Sequence, residues 1–386
     1  MQKAIVLNQA DTKQGVIRRM TDDLGASFLG MGFNVYYWDA NQPNSMDVIG
    51  NIFDSNSTAA IISMNLYSES LLQLGPHCTK SRVPVFFYCF DTPFVGFQNY
   101  KQLLDHFPDL VISLTGTNEF DAAAGIFGRP NNFAVLRQAV APTDRIAGGP
   151  RDFDGLLIGN NINIQGIPMP SEQVRQSWSD RNPSAAKALN AMIEIHRAEP
   201  RLPVLTLGRR AIPPSLSNLA MMVGLLNEFD FYMRSKVRED AIAVLADHDV
   251  IICGEGWEHL AKPGQRARFM GSTPNVVCQD LMRRTKCLFN IVPEYYSCSE
   301  RVLEAAMIGC PVVTSRSSFL EAEFGDCLLY THAADDLPDL MAKAGDASAM
   351  EPRIAGASAI VRERHTWNHR AATIIDILAE RGFPLV

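Results

Sequence analysis

Glu304 is a carboxylate in an apolar setting. The stretch SERVLEAAMIGCPVVTS, Ser299 to Ser315, surrounds it with Val302, Leu303, Ala305, Ala306 and Met307. A charge buried among such residues is costly unless something pairs with it. The segment reads as a buried helix that stops at Gly309, with Pro311 after it and a buried strand from Val312. Ser297 and Glu300, three residues apart, form a capping box for the helix start. That accounts for Glu300 but not for Glu304, which lies one turn further along the same face. A carboxylate there suits the two hydroxyls of a ribose. The helix N-terminus at Ser299 and Glu300 offers free N–H groups and partial positive charge to a diphosphate. Arg301 either neutralises phosphate or pairs with Glu304.

Other candidates follow strand-like runs. LLIGNN ends with Gly159 and Asn160: glycine lets backbone N–H groups approach a phosphate, and the Asn side chain suits a sugar, although a plain tight turn explains both. In ICGEGW, Gly254 and Gly256 leave room for a nucleotide base, with Trp257 as its lid. MRSKVRED holds Arg234, Lys236 and Arg238, which also read as a solvated helix face. Asp91, in FYCFDTPF, stands just beyond a buried run, the place for a general base that takes a proton from a hydroxyl; it also makes good turn chemistry. His365 and His369 have metal-capable spacing but no third ligand beside them. The pairs Asp22–Asp23 and Asp335–Asp336 read as solvated charges, so no metal site is expected.

The elements that must position these groups alternate. KAIVLN, FNVYYWD, TAAIISM, VPVFFYCF and DLVISLT are apolar runs separated by helical spacings such as Val16, Met20, Leu24 and Phe28. Continuous apolar runs between helices are the mark of buried parallel strands. Residues 1–145 read as one doubly wound α/β domain, and VAPTDRIAGGPRDFDG as the boundary. A second series, GLLIGN, LPVLTL, DVIICG, ARFMGS, KCLFNIV and CPVVTS, fills residues 151–360. The tail from 361 to 386 reads as part of one long amphipathic helix, expected to pack back across the junction. The fold class is therefore α/β, two Rossmann-like doubly wound domains facing a cleft, with ligands beyond the carboxyl ends of the strands.

Composition limits the partners. Hydrophobic residues make up 47% and charged residues 20% of 386, as in a globular protein, and a net charge of −7 argues against a nucleic-acid partner. Eight cysteines lack any CxxC pair and several sit in apolar runs, the usage of reduced thiols in a cytoplasmic protein. No signal peptide or membrane span is expected; a peripheral membrane contact is compatible with the composition. Oligomeric state is open.

The Glu304 stretch resembles the donor-site segment of GT-B glycosyltransferases, and most of all the family of CgeB-like (spore maturation protein) glycosyltransferases. ICGEGW resembles that family's strand-and-glycine segment. LFNIVPEYYSCSERVLEAAMIGCPVVT resembles its core, and RERHTWNHRAATII its terminal helix. The resemblance implies a metal-independent transfer from a nucleotide-diphosphate sugar, a substrate rather than a cofactor, to a glycan, lipid-linked or protein acceptor. It implies that Glu304 holds the ribose, that ICGEGW lines the donor pocket, and that a basic residue near Arg234–Arg238 meets the diphosphate. Many retaining GT-B enzymes carry Glu at both ends of an E-x7-E motif; here the first position is Tyr296, with Glu294 two residues out of register. The alternatives are a nucleotide-sugar epimerase of the same fold, or a non-catalytic nucleotide-sugar-binding protein.

Overall fold

Among the described residues, apolar runs form two six-stranded sheets in which every strand pairing is parallel. A computed structural model describes residues 3–9, 15–54, 58–65, 69–143, 151–162 and 165–385. It divides into one unit of Met1–Ala141 with Arg364–Val386, and a second of Pro142–Glu363. Residues 144–150, within the stretch read as the boundary, lie outside the described residues. Among the described residues no helix is long and apolar enough to cross a membrane.

The first sheet contains β1 (Ala4–Asn8), β2 (Asn34–Trp38), β3 (Thr58–Met64), β4 (Val85–Tyr88), β5 (Val111–Leu114) and β6 (Phe133–Val135), in the order β2-β1-β3-β4-β5-β6. Side chains alternate across a strand, so these runs feed two cores. Val6, Ile61, Val85 and Phe87 enter one. Ile5, Leu7, Ala60, Ile62, Phe86 and Tyr88 enter the other. The helix Trp367–Glu380 joins the second through Trp367, Ala371, Ile374 and Leu378. Their helical spacing forms one apolar stripe, which is why the end of the chain belongs to the first unit.

The second sheet contains β7 (Gly155–Ile158), β8 (Val250–Cys253), β9 (Arg268–Gly271), β10 (Leu288–Asn290), β11 (Val312–Ser315) and β12 (Leu329–Thr331), in the order β12-β11-β10-β7-β8-β9. Leu157, Val250, Ile252, Phe289 and Val313 build its core with Ala241, Ile242 and Leu245 of the long helix Leu219–Leu245.

Two elements differ from the sequence expectation. LPVLTL is not a strand. Its residues from Val204 open the helix Val204–Ala211, which buries Val204, Leu205, Leu207 and Gly208 on one face. At Gly208 a side chain would meet Leu226 of the long helix at 2.3 Å, so close helix packing decides the conformation that a short apolar run leaves open. The tail is two helices, Ala347–Arg364 and Trp367–Glu380, rather than one. Thr366 is extended and shares a 2.8 Å hydrogen bond with Nδ1 of His369, closing a helix start. His365 Nδ1 accepts from Arg370 at 2.8 Å. Both histidines thus belong to the helix junction.

Candidate functional site

The strand order of the second sheet reverses between β7 and β10. The crevice beyond the carboxyl ends at such a reversal is where open α/β sheets take ligands. Arg238 spans it. Nε donates to the carbonyl of Ile291, just past β10, at 3.1 Å, and Nη1 to the carbonyl of Asn160, just past β7, at 3.2 Å. The residue is 9% exposed, and among the described residues no carboxylate hydrogen-bonds it. Burial, then the nearby guanidinium groups of Arg301 and Arg234, bring its pKa down to about 9. A desolvated cation crowded by two others is a place made for an anion.

The long helix delivers this charge. Asp230, Arg234 and Arg238 are spaced four apart and share a face. Arg234 Nε lies 3.3 Å from Asp230 Oδ2, and its guanidinium stacks over Phe231 at 4.4 Å. Tyr296, where the resemblance expects Glu, donates to both oxygens of Asp230 at 2.8 Å. Glu294 faces elsewhere, toward Arg201 at 3.0 Å. Lys236 is two residues from both arginines, on the other side of the helix, and pairs with Asp240 at 2.6 Å. The structure does not bring Lys236 to this cluster.

The helix around Glu304 spans Glu300–Met307. Its N-cap is Ser299, not Ser297, and the expected capping box does not form: the Ser299 hydroxyl donates to Asn290 Oδ1 at 2.7 Å instead. Glu300 approaches Arg301 at 3.6 Å. Glu304 is 3% exposed. With Arg301 it acts electrostatically on Cys278, from the helix Asn275–Arg284. The Cys278 thiol is raised chiefly by its hydrogen bond with Cys253, at the end of β8, then by burial, with Glu304 adding to the rise and Arg301 opposing it. Arg301 also acts on Arg238, which sets it beside the arginine cluster, and Glu304 follows it one turn later on the same helix.

The glycine segments serve packing rather than ligand space. Gly159 gives its N–H to Cys253 at 2.9 Å, so that group is not turned to a phosphate. A side chain at 159 would meet the Arg238 guanidinium at 3.0 Å. At Gly254, with φ of 131°, a side chain would strike the Gly159 carbonyl at 1.9 Å; at Gly256, with φ of 88°, it would strike the Asn161 carbonyl at 2.2 Å. The room expected for a base is filled by backbone. Asn160 Oδ1 accepts from the Glu255 N–H at 3.1 Å. Trp257 is no lid: it is 1% exposed in the core, with its indole N–H on the Gly159 carbonyl at 2.6 Å. These contacts lock the β7 and β8 loops together behind Arg238.

In the first unit, Asp91 follows β4 and accepts from Asn65 Nδ2 at 2.8 Å. Asn65 Oδ1 in turn accepts the Phe90 N–H at 3.0 Å. The backbone of Asn65 has φ of 50°, a left-handed conformation that Asn tolerates better than most residues. Asp91 is thus half-buried in a fixed orientation, and the buried Glu119 also faces this edge. Sequence reading missed Glu119 and Asp230. The signal for Asp230 was available: EFDFY sets a carboxylate between two phenylalanines.

Residues 234–376 match the family model described as "Glycosyl transferase-like". No protein of curated function matches the chain by sequence. Several solved structures share its architecture. Anabaena Alr3699/HepE, solved with UDP-glucose, is 12% identical with a TM-score of 0.56, over 98% of this chain and 100% of that one. An alpha-glucosyltransferase solved with UDP and a 13-mer DNA containing an HMU base is 10% identical with a TM-score of 0.55, over 98% and 100%. The lipopolysaccharide outer core galactosyltransferase WaaB, in its apo form, is 11% identical with a TM-score of 0.50, over 99% and 100%. At such identities the likeness is one of fold. The stretch that matches the family model carries Arg234, Arg238, Arg301 and Glu304, and the chain shares the two-domain α/β frame of these solved structures.

Proposed function

We propose that this protein moves a sugar from a nucleoside-diphosphate sugar to a hydroxyl of a glycan, lipid-linked or protein acceptor, without a metal. The observation that carries the reading is Arg238, a buried cation at the switch point with carbonyl partners and two further guanidinium groups beside it. In this reaction the acceptor oxygen bonds to the anomeric carbon as the bond from that carbon to the phosphate oxygen breaks. Negative charge develops on the departing diphosphate, and fixed cations stabilise it as a metal would elsewhere. Arg234, Arg238 and Arg301 take that role, with the start of the Glu300–Met307 helix beside them. Glu304 accepts the ribose hydroxyls. Asp91 takes the acceptor proton in an inverting transfer and orients the acceptor in a retaining one.

UDP, present as UDP-glucose in one similarly folded structure and as UDP in another, is the first nucleotide to test. The CgeB-like resemblance in three ordered segments supports placement in that subfamily. The free, mostly buried cysteines support a cytoplasmic setting. A thermal-shift panel of nucleoside diphosphates and their sugars tests the donor reading. A ligand at 100 times its Kd stabilises by about 2.7 kcal/mol. Arg238→Ala, losing a charge-assisted contact of roughly 3 kcal/mol, should bind UDP on the order of 100-fold more weakly. A folded Arg238→Ala protein that binds UDP like wild type contradicts the reading.

A further inference from the structure

Asp230 is 0% exposed. A carboxylate so far from water persists only if donors fill its oxygens. Tyr295 donates to Oδ1 at 3.0 Å, Tyr296 to both oxygens at 2.8 Å, and Arg234 Nε sits 3.3 Å from Oδ2. The two tyrosines donate from the loop after β10 and Arg234 adds an ion pair from the long helix, so Asp230 joins these two elements. Tyr295 is buried, edge-on to His196 and tilted against Phe229. Tyr296 and Arg234 are only partly buried, so they run from the buried anchor toward the surface. With Nε on Asp230 and its plane on Phe231, Arg234 has its orientation set from behind. An apolar residue of similar volume would serve stability as well as a buried ion pair does, so orientation is what the carboxylate adds.

We infer that Asp230 is the positioning residue of the phosphate end of the donor site. It holds Arg234 and Tyr296 toward the leaving diphosphate without touching it. The inference rests on the donor-site reading above. It distinguishes the two ends of the nucleotide: loss of Asp230 disturbs what grips the second phosphate and leaves the nucleoside end intact.

Calorimetric titration of the full chain with UDP and with UMP tests this. Asp230→Asn keeps the shape and removes the charge. It should bind UDP about tenfold or more weakly, the scale of one charge-assisted contact, and bind UMP within about twofold of wild type. Tyr296→Phe should show the same UDP-selective loss in smaller degree. Unchanged UDP affinity in folded Asp230→Asn overturns the inference, and so does a proportionate loss of UDP and UMP, which marks a purely structural role. If Asp230→Asn does not fold, Arg234→Lys decides: it keeps a charge but has no Nε to be oriented, and wild-type UDP affinity there overturns the inference. Wild-type protein that binds neither nucleotide refutes the donor reading itself, an outcome distinct from any of these.

Discussion

Each unit has a parallel sheet whose strand order reverses once, between β1 and β3 in the first and between β7 and β10 in the second. Beyond those carboxyl ends the chemistry diverges. The first unit presents amides, hydroxyls and acids: Asn8 bonded to Ser63 at 3.0 Å, Asn65 bonded to Asp91, and Glu119 near them. The second presents Arg234, Arg238 and Arg301, with Asp230 behind them. One edge offers hydrogen-bonding groups and acids, the other a cluster of cations; on the proposed reading the first takes the acceptor hydroxyl and the second the diphosphate. The difference arises in the connections. Among the described residues between β7 and β8 the second unit carries four α-helices, Ser171–Arg181, Pro183–Ala198, Val204–Ala211 and Leu219–Leu245, and the last supplies two of the three cations. The same sheet plan thus takes its local charge from what is inserted beside its switch point.

The contrast can be broken most severely at Asp91. Asp91→Asn should lower acceptor-dependent turnover on the order of 100-fold or more while UDP affinity stays at the wild-type value. A parallel fall in UDP affinity would mean that the two edges do not divide acceptor from donor as described. Glu304→Ala sharpens the picture within the second unit. It should weaken UDP and uridine alike, on the order of 10- to 100-fold, whereas Arg238→Ala discriminates between them. Titration of both ligands, with a melting curve to show that the fold survives, measures this.

The smallest effect concerns His196, in the aromatic group with Phe229 and Tyr295. Burial lowers its pKa from 6.5 to about 4, and its Nδ1 has no hydrogen-bond partner. Between those values the unfolded chain binds a proton that the folded one refuses. Stability is therefore full above pH 6.5, falls as pH drops, and levels off near 4. By pH 5 the loss is about 2 kcal/mol. Calorimetric unfolding at pH 7 and pH 5 should show that loss in wild type and little of it in His196→Gln. An equal loss in both would assign the acid sensitivity to other groups.

Much of the frame was legible because buried parallel strands are written as plain apolar runs. DVIICG, KCLFNIV and CPVVTS all contain strands of the second sheet. LPVLTL carried the same signal and became a helix, because its fit against Leu226 is a tertiary matter that local pattern does not contain. In the candidate site, polar residues in apolar company drew notice at Glu304 and not at Asp230. The long helix around Asp230 is apolar over much of its circumference, and its partners lie 65 and 66 residues away. The glycines were conspicuous for a reason the sequence does not distinguish. Close approach to a ligand and close approach to another loop both require the missing side chain, and here it was another loop.

The helix Trp367–Glu380 completes a core begun at Ile5 and Leu7. On the ribosome, the earliest strands emerge hundreds of residues before the segment that covers one face of them. The intervening Pro142–Glu363 stretch is continuous in sequence and has all its own strands in hand first. Within this span, order of synthesis therefore runs against order of completion: the first sheet is made before the second, yet the core on one of its faces stays incomplete until the Trp367–Glu380 helix follows.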